Sequence, residues 1–223
     1  MSDALIIYGN GQMARMFHHF ARTEWRVAAF TVDRELITDG QLAGVPVLPF
    51  DEIERHCPPD SHRMITAVGF VRMNDVRAER YLTAKAKGYR FANYIHPSVV
   101  RHEDLTLGEN NVVLDHVSLH PGVSLGNSNF LCSNISIGHG CRIEDNCWIN
   151  SGVAIAGETH IRSNCFFGPN ATVGDNIAIA ERCYIGANTL VTRSTQAGEV
   201  YVSAQGERFP LPSDKFLDFI RRA

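Results

Sequence analysis

The sequence predicts a small α/β unit with a parallel sheet, followed by a parallel β-helix of six-residue repeats and a short C-terminal tail. Two patterns carry this. Residues 4–88 alternate short apolar runs with helical stretches, the arrangement that buries a parallel sheet under helices. From Leu107 to Val191 every sixth residue is apolar, fifteen positions without an exception. At 44% hydrophobic content such a run has a chance probability on the order of 10⁻⁵.

Ala4 to Tyr8 reads as a buried strand. Gly9-Asn10-Gly11-Gln12-Met13-Ala14 follows and opens a helix that runs to about Arg22. Trp25 to Thr31 is a second strand ending near Asp33, Gly44 to Val47 a third, and Met64 to Val68 a fourth that ends at Gly69. Residues 74–88 form a helix closed by Gly88. A GxGxxA turn between strand and helix turns backbone amides toward a diphosphate. Asp33, at the end of its strand, can accept hydrogen bonds from a ribose or base. Gly9, Asn10, Gly11, Asp33 and Gly69 are therefore the candidate ligand-binding residues of this unit. A tight turn without a ligand is the alternative, and roughly 90 residues is short for a full dinucleotide fold.

In the repeats, a second column two residues before each aliphatic is mostly small or β-branched: Val117, Val123, Asn129, Ile135, Cys141, Cys147 and onward. A period of two inside each repeat means a short strand with both residues facing inward. Gly follows the aliphatic at 108, 126, 138, 168, 174 and 186, and Asn stands three residues past it at 110, 134, 146, 164, 170, 176 and 188. Both tolerate the left-handed backbone of a turn. A strand and a turn every six residues cannot build hairpins; they build a solenoid of stacked coils. Cys141, Cys147, Cys165 and Cys183 fall in the inner column, so they read as packing thiols.

The aliphatic-Gly-x-x-small-x pattern resembles the hexapeptide-repeat acyltransferases over roughly residues 95–205. The order of an α/β unit, then Tyr94-Ile95-His96-Pro97-Ser98, then hexads, resembles the sugar acyltransferases that include bacillosamine and perosamine N-acetyltransferases and sialic acid O-acetyltransferase. That resemblance covers nearly the whole chain. It implies a left-handed β-helix with three hexads to each 18-residue coil. Residues 1–94 would be a Rossmann-like domain holding a nucleotide-linked sugar, 95–205 the β-helix domain holding acetyl-CoA or another acyl-CoA, and 206–223 a tail. Relatives often carry Gly-His inside the first turn, where this chain has Gln12-Met13.

Ile137-Gly138-His139-Gly140-Cys141 carries the candidate catalytic residue. His139 lies two residues past an inward Ile, at a corner, and acyl transfer to an amine or hydroxyl needs a base near neutrality. In the family a His at this place does that work, often with an Asp or Glu directly after it. Gly140 stands there instead, which leaves Glu144 or Asp145 as stand-ins. Eighteen residues on, Gly157 stacks over His139 and lets a thioester approach the backbone. The resemblance places Trp148, Gly168 and Ala187 with Gly157 in the coenzyme site. His116, His120 and His139 also invite comparison with γ-type carbonic anhydrases, but those lack an α/β domain and the three sit at different repeat offsets, so no metal is expected.

At spacing 18, Val112, Phe130, Trp148, Phe166 and Tyr184 share one outward face. Such a patch is too apolar to leave wet. It predicts a homotrimer packed through that face, or a tail folded back over it through Phe209, Leu211, Phe216, Leu217 and Ile220.

The net charge of −3 and the lack of a basic cluster argue against nucleic acid as a partner. No run is long enough for a bilayer span, Asp3 sits where a signal peptide needs positive charge, and the six cysteines lack CxxC spacing. Reduced thiols in a cytoplasmic protein are expected. The function expected is acylation of an amino group on a nucleotide-linked deoxyamino sugar for surface glycan assembly. Sugar O-acetylation and a non-catalytic binding scaffold are the alternatives.

Overall fold

The computed structural model describes residues 4–221. The first unit contains β1 (Ala4–Tyr8), α1 (Gln12–Ala21), β2 (Val27–Val32), β3 (Gln41–Leu42), β4 (Val45–Pro49), α2 (Ile53–His56), β5 (His62–Thr66), α3 (Asp75–Ala86) and β6 (Arg90–Phe91). Its sheet runs β3-β4-β2-β1-β5-β6, parallel except for the β3–β4 pair. That antiparallel edge departs from the parallel sheet expected. Ala43 and Gly44, both at positive φ, form a two-residue hairpin loop whose twist suits antiparallel pairing. The middle strands are apolar on both faces because helices cover both: β1 is buried throughout. Helix α1 turns Ala14, Phe17 and Ala21 inward at helical spacing.

The second unit is a left-handed parallel β-helix, as expected. Its two-residue strands form three sheets of seven, five and five strands, one per side of a prism. Partners along each side differ by 18 residues: Phe130 pairs with Trp148, Ser136 with Ala154, Arg142 with His160. The aliphatic and inner columns fill the prism, with Leu131, Ile149, Cys147, Cys165 and Phe167 at 0% exposure. The outward residues name the sides. The aromatic side carries Val112 to Tyr184, the small-residue side Ser118, Ser136, Ala154, Thr172 and Leu190, and the polar side Ser124, Arg142, His160 and Ala178.

The corners separate two roles that the sequence had joined. The residue three past each aliphatic, from Asn110 to Asn188, is always left-handed. The glycines directly after the aliphatic are not. At Gly108, Gly126, Gly138 and Gly168 they serve close approach instead: a Cβ on Gly138 would stand 2.6 Å from the Gly157 nitrogen, and one on Gly168 2.5 Å from that of Ala187.

The aromatic side is the main correction. Phe130 (1% exposed), Trp148 (3%) and Phe166 (4%) are buried within this same chain, in one apolar cluster with Leu5, Phe17 and Ile65 of the α/β unit. Phe70 lays its ring 4.5 Å from Phe166 and 5.6 Å from Trp148. The first unit, and neither a neighbouring subunit nor the tail, covers the ladder. The tail instead forms α4 (Ser213–Ile220), with no buried residue. Polar bonds fix the seam at four of the coils: Asn110 with Thr66, Arg77 with the Cys147 carbonyl, Asn74 with that of Cys165, and Arg182 with Asp75. Among the described residues no helix is long and apolar enough to cross a membrane.

Candidate active site

Two places on this scaffold have chemistry. The first is a recess of about 300 Å³ at the C-terminal ends of β1, β2 and β5. Gly9, Asn10, Gly11, Asp33 and Gly69 all line it, so the structure brings the five sequence-predicted residues together. Gly9 has φ +132°, and a Cβ there would lie 2.7 Å from the Ala67 carbonyl oxygen. Nothing larger turns the chain from β1 into α1 at this distance. Gly11 caps α1 without a side-chain hydrogen bond, which leaves the first-turn amides uncapped, and Gln12 and Met13 of that turn line the recess. Asn10 is held by its side-chain nitrogen on the Leu36 carbonyl, 2.7 Å away.

Asp33 is less free than its position in the sequence suggests. The Tyr8 hydroxyl donates to one carboxylate oxygen at 3.0 Å and Arg80 to the other at 2.5 Å. Burial, then the Asp33 bond, push the Tyr8 hydroxyl far above its ordinary range, so it remains a donor. A ligand that meets Asp33 must share it. Arg80, Arg34 and Lys87 line an adjoining recess of about 540 Å³ with Asp33 as common wall, and sequence reasoning passed over them. Arg80 follows Arg77 by one helical turn on α3, and that spacing is the signal available for it.

The second place is the corner between the small-residue and polar sides. His139 projects there, 67% exposed, with its ring over Gly157; a Cβ on Gly157 would stand 2.6 Å from Nε2 and 2.7 Å from Cε1. His139 Nδ1 lies 3.3 Å from Glu158 Oε1, and Nε2 has no hydrogen-bond partner among the described residues. The Gly157 and Ala187 amides also have no such partner. Neither sequence-proposed stand-in reaches the ring. Glu144 is tied to His160 at 2.9 Å and Arg162 at 2.8 Å, and Asp145 accepts from the Asn127 amide at 2.6 Å. Burial opposes ionisation of Glu144, but bonds from Arg162, His160 and Ser163 outweigh it and hold the carboxyl below its usual range. Glu158, nineteen residues from His139, was missed because its closeness exists only across coils.

Gly168 and Ala187 lie at the other edge of the small-residue side, where the aromatic side ends, so that side separates them from His139 and Gly157. Trp148 belongs to neither edge. Its ring stacks on Phe130 at 4.4 Å, under Phe70 and the Arg77 guanidinium, and leaves no face for a coenzyme. That expectation is corrected. His116 stands at a corner away from His120 and His139, so the three do not converge.

Fold and repeat together define the class: a hexapeptide-repeat β-helix with an α/β unit docked along one side. Residues 140–175 and 158–193 match the bacterial transferase hexapeptide (six repeats) family. No curated protein matches the chain in sequence. Among solved structures it resembles the acetyltransferase domain of PglB from Neisseria gonorrhoeae (20% identity, TM-score 0.80, 89% of this chain and 96% of that one). It also resembles a mutant perosamine N-acetyltransferase from Caulobacter crescentus in complex with CoA and GDP-perosamine (24%, 0.79, 88% and 92%). WeeI from Acinetobacter baumannii is a third (20%, 0.69, 88% and 95%). At these identities the likeness is one of fold.

Proposed function

We propose that this chain is an acyltransferase that moves an acetyl group from acetyl-CoA to the amino group of a nucleotide-linked deoxyamino sugar, in the cytoplasm, for surface glycan assembly. The observation that carries the proposal is an unpartnered imidazole nitrogen at a β-helix corner, over a glycine that leaves room for a second reactant. Support comes from the fold neighbours, one of which holds CoA with GDP-perosamine and another acetyl coenzyme A.

In this reading residues 1–94 hold the nucleotide and 95–205 the coenzyme. The α1 amides and Gly9 to Gly11 receive the diphosphate, with Asp33 and Gly69 flanking the nucleoside. Gly157 offers backbone to the coenzyme at the His139 corner, and Gly168 and Ala187, at the far edge of the small-residue side, would offer theirs from a second copy packed against that corner. The sugar amine attacks the thioester carbonyl carbon, and His139 Nε2 takes the proton the nitrogen sheds. The free Gly157 amide is suited to the oxyanion. Collapse of the intermediate breaks the C–S bond, and the thiolate receives the proton from the imidazolium. No metal takes part in this scheme.

Self-association, as a homotrimer, stays in the proposal on a ground other than the aromatic ladder. His139 stands on an open edge, and the adjoining small-residue side exposes Ser136, Ala154, Thr172 and Leu190. A second copy there would wall the cleft and bury that side; sedimentation at micromolar concentration tests it, and a monomer would remove the claim. The activity test is release of CoA thiol from acetyl-CoA with nucleotide-linked amino sugars. Release with wild type and its loss in His139→Ala supports amine transfer. Release only with hydroxyl acceptors such as sialic acid assigns O-acetylation, and none with either class favours a binding scaffold.

A further inference from the structure

We propose that Glu158 is the positioning residue of His139, delivered from the next coil through a space that Gly140 leaves open; this rests on the acyl-transfer reading above. Gly140 and Glu158 occupy the same corner position one coil apart, three residues past Ile137 and Ile155. A Cβ on Gly140 would stand 2.7 Å from the Glu158 carboxyl carbon, so any side chain there would displace the carboxylate. Backbone bonding sets the stack, because the Glu158 amide donates to the His139 carbonyl at 2.8 Å.

Glu158 is also conformationally out of place. It holds φ 55° at a corner position that Asn or Gly fills in most coils. Of the three other exceptions, Ser128 accepts from Asn110 and Arg182 pairs with Asp75, while the His116 side chain makes no hydrogen bond among the described residues. The one polar side-chain contact of Glu158 among the described residues is His139. Both groups are more than 60% exposed (63% and 67%), where an ion pair adds little to stability. A strained backbone, a glycine that makes room and a contact of low energetic value make poor sense as scaffolding. They make sense as control of an imidazole. A carboxylate at Nδ1 keeps the ring proton on that nitrogen and turns the Nε2 lone pair outward, the form a base requires.

The test uses Glu158→Asn and Glu158→Gln in the full chain. Asn suits a left-handed corner, so Glu158→Asn should unfold about 2–4 °C higher than wild type. Its kcat for thiol release should fall by about tenfold or more with both KM values unchanged, and Glu158→Gln should lie between. Nitrogen NMR of His139 in the resting protein should show the Nδ1–H tautomer in wild type and its loss in Glu158→Asn. An active wild type, an inactive His139→Ala and a Glu158→Asn variant with wild-type kcat and tautomer would overturn the inference. A wild type inert toward every acceptor would instead sink the transferase reading, and the tautomer measurement, which needs no turnover, would still decide the role of Glu158.

Discussion

Replacing Gly157 with Ala puts the active-corner geometry under the sharpest strain. The added methyl would lie 2.6 Å from His139 Nε2 and 2.7 Å from Cε1. Ordinary contact begins near 3.4 Å, so the ring must retreat by about 0.8 Å. The Gly157 backbone is outside the left-handed region, so Ala fits it without strain. The imidazole is mostly exposed and can move aside at little cost. Stability should therefore stay within about 0.5 kcal/mol of wild type, or rise slightly as the unfolded chain loses freedom. Catalysis should not survive so well: a shift of about 1 Å in a reacting group costs on the order of 10²-fold. Steady-state thiol release and thermal unfolding, run side by side, read both quantities. A kcat within about threefold of wild type would refute the reasoning, because a base that tolerates this shift is not held by this corner. A large fall in Tm would refute it differently, by making the loss one of folding.

Other expectations follow from the seam between the units. Arg77 is 1% exposed with Nε and Nη1 unpartnered, and burial pulls its guanidinium down to about 10, still charged at neutral pH. Arg77→Met, which keeps the length and removes the buried charge, should unfold at or above the wild-type temperature, since the Cys147 carbonyl retains the Phe130 amide. The Arg182 bond holds the Asp75 carboxyl below its ordinary value against a smaller opposing effect of burial. A carboxyl lowered in the fold stabilises above its unfolded value near 3.8 and loses that contribution as pH falls through the folded one. Asp75→Asn should therefore lower Tm modestly at neutral pH, where the contribution is present, and flatten the acid arm below about 4, so that the two proteins converge in acid. Burial pushes the Cys132 thiol up to about 12, and the other cysteines are buried. A thiol reagent at pH 8 should find almost none in the native protein and all six after denaturation, and rapid native labelling would contradict the packing.

The β-helix was legible because its period is carried by backbone geometry: each aliphatic from Leu107 to Val191 must point into the prism, so composition repeats wherever structure does. The recess was legible for a similar reason, since Gly9 meets a carbonyl that admits no side chain. Expectation failed where the answer lay in a second surface. Trp148 has the spacing of an outward residue, and only the docked α/β unit shows what faces it. The carboxylate beside His139 was sought nearby in sequence, yet it came from the adjacent coil, where no local pattern marks it. The Gln41–Leu42 edge escaped because two residues are too few to establish an alternation.

The seam has a consequence for how such chains can change length. The α/β unit grips the prism at Asn110, Cys147, Cys165 and Arg182, so the number of turns between those grips is a ruler. Adding or deleting one 18-residue turn inside it would slide every later anchor by about 4.8 Å, one strand spacing, and uncouple the hold. Turns added beyond Arg182 would meet no such resistance. Growth and loss of repeats should therefore be confined to the C-terminal end, while the span between recess and imidazole stays fixed.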